Sequence, residues 1–240
     1  MLSMLKLVDI HNPNSLASRF RARRFRIFEG FFAALPRPVH IIDIGGTNSF
    51  WERVGWAGQD DVQITLLNLF PQARQHANIA PVVGNATNLS DFGPGSFDVA
   101  FSNSVIEHLS TFENQRKMAA EVRRVAKAYW VQTPNFWFPI EPHFHVPGWQ
   151  WMPEPVRVSM LSRWKCGWLG PCKDPLQARE LVAEIRLLTC GELRDIFPEA
   201  QIMPERFAGF TKSWTAIHGF RPITVRDAPS HAVETSQRES

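Results

Sequence analysis

Cysteine, tyrosine and long apolar runs are all scarce in this 240-residue chain. Its three cysteines, Cys166, Cys172 and Cys190, are too few for a disulfide framework, and they lack the close paired spacing of a structural zinc site. A reducing, cytoplasmic setting is the default expectation. No run of about 18 apolar residues occurs, so no membrane-spanning helix is expected. Asp9, His11 and Asn12 interrupt the N-terminal apolar stretch before any cleavage-like pattern, which argues against a signal peptide. Excess charge is scarce too: 26 Lys plus Arg against 23 Asp plus Glu leave +3, which is no nucleic-acid signature.

What is present is enough apolar content, 44%, to bury a core, and the expectation is one domain over residues 1–220. The small, polar and charged tail, 221–240, reads as disordered. Aromatics are abundant but skewed, with 18 Phe and 9 Trp against the single Tyr. Five tryptophans, Trp137, Trp149, Trp151, Trp164 and Trp168, fall in one segment.

Periodicity divides the chain further. Asn12-Pro13 starts a leading helix over 12–35, with Leu16, Phe20, Ile27, Phe31 and Leu35 inward and Arg19, Arg21, Arg23, Arg24 and Arg26 outward. That basic face reads as solvated, with an anion or membrane surface as the alternative. Apolar runs without alternation at 39–44, 62–69, 80–84, 97–102 and 128–133 read as strands buried on both faces. Their rhythm with intervening helices predicts an α/β fold: a Rossmann-like, doubly wound, mainly parallel sheet. Ser110 and Glu113 form a predicted capping box for the crossover carrying Met118, Val122 and Val125. After Thr133 the rhythm breaks, and 134–198 reads as an insertion before strands at 201–205 and 213–218. Its second part is a predicted helix from Asp174-Pro175 with Leu181, Ile185 and Leu188 inward. Thr189 and Glu192 then cap a short helix bearing Leu193, Ile196 and Phe197.

Ligands of open parallel sheets lie beyond the carboxyl ends of the strands. There the first strand presents Asp43, then Gly45-Gly46-Thr47, where a backbone can approach a ligand closely. The second ends at Asn68-Leu69, the third at Asn85-Ala86, and the fourth at Ser102-Asn103-Ser104 followed by Ile106-Glu107-His108-Leu109. In this order and spacing the series resembles the class I S-adenosylmethionine-dependent methyltransferases, particularly the small-molecule group labelled type 11, over about residues 38–134. The resemblance implies the seven-strand methyltransferase fold, with S-adenosyl-L-methionine as cofactor and S-adenosyl-L-homocysteine as product.

It also implies a role for each position. Asp43, Gly45, Gly46 and Thr47 would lie at the methionine and sulfonium end. Asn68 and Leu69 would contact ribose and adenine, and Asn85 and Ala86 the adenine edge. Ser102, Asn103 and Ser104 would line the site beneath the sulfur. Two departures stand out: the glycine loop is short, and Asn68 replaces the usual acid, so restoring an acid there is expected to tighten binding if Asn68 faces ribose. A dinucleotide site is disfavoured, because neither G-x-G-x-x-G nor the acid about 20 residues on is present. Glu107-His108 is similar to part of a metal-binding trio in some ubiquinone-pathway O-methyltransferases, but its third position here is Ser104. The pair is therefore a weak metal candidate, and no metal is expected.

Pro139 and Pro142 exclude a regular helix around Glu141, His143 and His145. An extended backbone would point all three the same way, as acceptor-facing catalytic groups, metal ligands or structural bonds. The aromatic segment reads as a lid, an apolar acceptor site or a small satellite core. Trp149, Trp151 and the basic stretch 157–165 would also suit peripheral membrane contact. The expected reaction is methyl transfer by in-line displacement to a small-molecule or lipid-like acceptor through oxygen or nitrogen. Nucleic acid is disfavoured, because Asn103 is followed by Ser104-Val105-Ile106 and not by the Pro-Pro-aromatic stretch of amino-methylating families. The alternative is a non-catalytic nucleoside-binding or scaffold protein of the same fold. Nothing in the sequence sets an oligomeric state.

Overall fold

In the computed structural model, which describes residues 16–220, the apolar run Val39–Ile44 (β1) lies between two parallel neighbours. These are β2 (Val62–Asn68) and β4 (Phe97–Asn103), and Ile41, Ile42 and Ile44 between them are buried. β3 (Ile79–Val83) extends the sheet beside β2, and β5 (Ala126–Pro134) extends it beside β4. β6 (Gln201–Phe207) and β7 (Phe210–His218) form a hairpin whose second strand pairs antiparallel with β5. The order is β3-β2-β1-β4-β5-β7-β6, seven strands of which β7 alone runs against the parallel set. β1 and β4 are the strands between which the order reverses, and the crevice beyond their carboxyl ends is the place where such sheets bind ligands.

Short α2 (Asn48–Arg53) follows β1, and a 3-10 turn (Ile106–Leu109) follows β4. α3 (Phe112–Val125) then covers the sheet with Met118, Ala119, Val122 and Val125 fully buried. Its cap is one residue later than expected. Thr111 accepts from the Asn114 amide at 3.2 Å, while Ser110 takes a left-handed φ of 60° as the 3-10 turn ends. The Thr189–Glu192 capping box does form, opening α6 (Cys190–Ile196) with Leu193, Ile196 and Phe197 buried.

The insertion holds α4 (Glu154–Arg163), α5 (Pro175–Glu184) and a 3-10 turn (Trp149–Trp151). It builds its own small core from Phe144, Trp149, Leu161, Cys166, Cys172 and Ala178, with Phe144 stacked on Trp149 at 4.2 Å between centroids. Of the five clustered tryptophans, Trp149 alone is buried, and Trp137, Trp151, Trp164 and Trp168 are exposed. The inward face of α5 is led by the buried Ala178 and Val182, with Leu181 and, just past the helix end, Ile185 partly buried against the same core as expected, but not Leu188. That helix stops at Glu184, and Leu188 joins the sheet core instead, through a parallel bridge with Asn135.

The chain forms two structural units. The one above spans 36–219; the other contributes α1 (Leu16–Phe32), the residues to 35, and Phe220. In α1 the buried apolar residues are Phe25, Phe28 and Phe32, so the expected stripe through Phe20, Ile27 and Phe31 is rotated. Three rings at i, i+3 and i+7 bury more apolar area than the mixed stripe. Phe220 meets Phe28 edge-on at 6.2 Å. Arg24 is buried, whereas Arg19, Arg23 and Arg26 are exposed as expected. The Asn12-Pro13 start and the tail 221–240 lie outside the described residues. Among the described residues, no helix is long and apolar enough to cross a membrane.

Replacing Thr189 by Ala removes the hydroxyl and the reciprocal bond of the capping box. The expected loss is about 1 kcal/mol, read as a lower urea midpoint at unchanged slope.

Candidate functional site

At the end of β1, Asp43 is 2% exposed and accepts the Trp51 indole N–H at 2.7 Å. Burial pushes its carboxyl up to about 7 against the opposing pull of that bond. A side chain on Gly46 would overlap the Asp43 carboxylate, and one on Gly45, at φ 77°, would collide with Val105. The turn is therefore bare backbone directly above a buried acid. Thr47 caps α2 with an extended backbone, and its hydroxyl meets Ser49 at 3.1 Å.

The Asn68 side-chain amide donates to the Gly46 carbonyl at 2.8 Å, and Gln72 donates to the same oxygen at 3.1 Å. Asn68 thus uses its donor, which an acid lacks, to tie the glycine turn to the end of β2. Leu69 beside it is exposed. Asn85 accepts from the Thr87 amide and hydroxyl at 3.0 and 2.9 Å, fixing the loop after β3, and Ala86 is buried in the sheet core. After β4, the buried Ser102 hydroxyl has no hydrogen-bond partner among the described residues. Asn103 closes the strand, and Ser104, at φ 60°, bonds Gln132 of β5 at 2.9 Å.

Beyond β4 and β5 a second group assembles. Glu107 is fully buried, with Oε2 accepting the Thr133 hydroxyl at 3.1 Å and Oε1 without a partner among the described residues. Burial raises its pKa, against the pull of His108 and His143. The His143 ring stands edge-on to His108 at 4.8 Å between centroids, and His108 Nδ1 lies 3.4 Å from Glu184. Glu107, His108 and His143 offer ligand atoms that all lie within 4.8 Å of one another. A carboxylate and two imidazoles are a donor set that suits a first-row divalent cation.

Glu141, His143 and His145 do not share one face of an extended strand, as the prolines suggested. The segment is a turn closed by the His145 amide on the Glu141 carbonyl at 2.9 Å. The reason is the Glu141 carboxylate, 1% exposed, which accepts the amides of His143 and Phe144 at 2.7 Å each and His143 Nδ1 at 2.6 Å. Three donors converging on one acid bend the chain more strongly than the prolines extend it. His145 sits at φ 52° with its ring edge-on to Trp168 at 5.4 Å. Burial lowers its pKa. For His143, burial works against charging, but the Glu141 bond and the charges of Glu141, Glu107 and Glu184 outweigh it and raise the pKa.

Glu141 also lines a cavity of about 340 Å³ under the insertion, together with Phe136, Trp149, Gln150, Arg157 and Arg186. The Arg186 amide donates to the Glu107 carbonyl at 2.8 Å, so the cavity wall and the Glu107–His143 group are joined at two points. Sequence reasoning had no signal for Gln72, Gln132 or Thr133 as supports, and it placed Glu107-His108 and His143 in separate motifs.

Residues 46–128, from the glycine turn into β5, match the family described as "Methyltransferase domain", type 11. The matched segment is similar to a methyltransferase domain of that type, and the strand order is that of the class I methyltransferase fold. Among particular proteins, the chain is similar to uncharacterized proteins from two Mycobacterium tuberculosis strains, 39% identical over 51 residues, or 21% of this chain. The match spans 17% of the length of those relatives. The solved CurJ carbon methyltransferase superposes with a TM-score of 0.53 at 9% identity, covering 90% of this chain and 57% of its own. A "possible exported protein" from Bordetella parapertussis gives 0.51 at 15% identity, covering 90% and 77%. At such identities the two structures establish the fold alone.

The Asn68 bond reverses the expectation attached to an acid at that position. Asn68→Asp removes the donor and sets a carboxylate against a carbonyl oxygen. The expected result in calorimetry is weaker binding of S-adenosylhomocysteine, by roughly tenfold for a lost hydrogen bond and an unpaired acceptor.

Proposed function

We propose that this protein transfers the methyl group of S-adenosylmethionine to a small-molecule acceptor, with His143 as the proton-accepting base. The observation that supports the reading is that the glycine turn after β1, tied to Asn68 at the end of β2, lies at the reversal point of the sheet, where β4 brings the Ser102–Ser104 stretch to its neighbouring strand end. A partly buried His143, held on the Glu141 carboxylate, lies beside Glu107 and His108 of the segment that follows β4. The cofactor would lie along the strand ends, from Asp43 to Ser104, with the bare Gly45-Gly46 backbone against its amino-acid end. A cavity of about 340 Å³ suits a compact acceptor better than a lipid chain.

Transfer breaks the bond between sulfur and the methyl carbon as the acceptor oxygen or nitrogen forms its bond to that carbon. The sulfur keeps the electron pair and S-adenosylhomocysteine departs. With His143 Nδ1–H donating to Glu141, the Nε2 lone pair is the free one, and it takes the acceptor proton. Glu141 positions the ring. His145, turned away on Trp168, supports the lid without touching the acceptor.

A second reading rests on the same residues: a divalent cation shared by Glu107, His108 and His143 would occupy Nε2 and activate the acceptor directly. Activity lost on dialysis against a chelator and restored by manganese or zinc selects that reading; indifference to the chelator selects the base.

Calorimetry with S-adenosylhomocysteine tests the cofactor site, because a scaffold that has lost the site gives no heat. In a methyl-transfer screen with labelled cofactor, His143→Ala is expected to lower kcat by roughly 10²–10⁴-fold with cofactor affinity intact, and His145→Ala to change it little. Because the free base is the active form and its pKa is raised, kcat should rise with pH through a midpoint above the ordinary histidine value. Glu141→Gln removes the main opposing influence and should move that midpoint down. A midpoint unmoved by Glu141→Gln would exclude His143 as the titrating base.

A further inference from the structure

The cavity under the insertion carries polar atoms that the fold itself does not use. Trp149 is 1% exposed, lines the cavity, and its indole N–H has no hydrogen-bond partner among the described residues. Leaving such a donor dry and unpaired typically costs about 1–3 kcal/mol, so its persistence points to a ligand. Arg157 Nε and Gln150 Oε1 line the same cavity and are likewise buried without partners among the described residues. The Gln150 amide nitrogen, by contrast, is held on the carbonyls of Phe136 and Phe138 at 2.9 and 2.6 Å, so its oxygen has a fixed direction.

The remaining charges around the cavity are already matched. Arg186 pairs with Glu192 and donates to Gln115 at 2.8 Å. Glu141 is taken up by His143 and two backbone amides. Arg157 makes no close ion pair among the described residues, although the charges of Glu154 and Glu141 reach it, and its Nε, the Trp149 indole N–H and Gln150 Oε1 are left without hydrogen-bond partners among the described residues. Phe136 and Ile185 supply apolar wall.

We propose that the cavity is the acceptor site and that it takes a small organic acid. The carboxylate would be received by Arg157 and the Trp149 indole N–H, and a hydroxyl or amine on the same molecule would donate to Gln150 Oε1. This rests on the methyltransferase reading above. A single guanidinium without a close ion pair matches a singly charged carboxylate, and a phosphate group, carrying up to two charges, would leave one unmatched. The acid is anchored at the end of the cavity that holds Arg157, and the nucleophile is presented toward Glu141 and its partner His143. Methyl transfer then gives an ether or an alkylated amine with the carboxylate intact, the displaced proton passing to His143.

The experiment uses the full chain saturated with S-adenosylhomocysteine, whose own binding is measured first. The probes are 3-hydroxybutyrate, 4-hydroxybenzoate and 4-aminobenzoate, with the corresponding amides and inorganic phosphate, each followed by calorimetry and by ligand-observed NMR. At least one acid is expected to bind, its amide at least tenfold more weakly, and phosphate more weakly still. Arg157→Gln and the ring-preserving Trp149→Phe should each weaken the acid at least tenfold while leaving S-adenosylhomocysteine affinity and thermal midpoint near the parental values. No binding by any of the three acids, equal affinity for acid and amide, stronger binding of phosphate, or parental affinity in both variants overturns the proposal. Absence of heat with S-adenosylhomocysteine itself would instead defeat the methyltransferase reading, so the two failures are distinct.

Discussion

Much of the site depends on one buried carboxylate. Glu141 gathers two backbone amides and an imidazole on its two oxygens, and each of those bonds sets a different part of the molecule. The amide of Phe144 fixes the corner from which that ring stacks on Trp149, the centre of the insertion's core. The imidazole bond turns His143 toward Glu107 and His108, at the ends of β4 and β5. A carboxylate is tolerated in a buried position when donors surround it, and here the turn supplies two from its own backbone and one from His143.

A comparable economy holds the glycine turn. Gly46 has no room for a side chain above Asp43, and its carbonyl is held by both Asn68 and Gln72. Trp51 braces the acid from below. The ends of β1 and β2 are thereby tied to each other through side chains, so the glycine turn is held by the protein's own bonds.

The strands were legible in the sequence because parallel strands buried on both faces read as uninterrupted apolar runs, and β1, β2 and β4 begin within one residue of those runs. The order of motifs after them was legible for the same reason: each falls at a strand's carboxyl end. What escaped was non-local or carried by a side chain. The turn at Glu141 depends on hydrogen bonds that no propensity encodes, and two prolines pointed the other way. The meeting of Glu107 with His143 depends on two segments 36 residues apart in number, joined only when β4 and β5 align. Asn68 reads equally as donor or acceptor until its partner, Gly46, is in place. The rotation of the α1 stripe shows the converse, a helix correctly placed whose buried face was decided by ring size.

The two outer strands of the sheet share a detail. β3 carries Pro81 and β6 carries Pro204, and β6 also shifts register between Glu205 and Arg206. A proline offers no amide hydrogen, and an irregular register breaks the even ladder a further strand would need. Both open margins of the sheet are therefore poor templates for strand addition. A seven-strand sheet that would otherwise end in two adhesive edges carries its own protection against edge-to-edge aggregation.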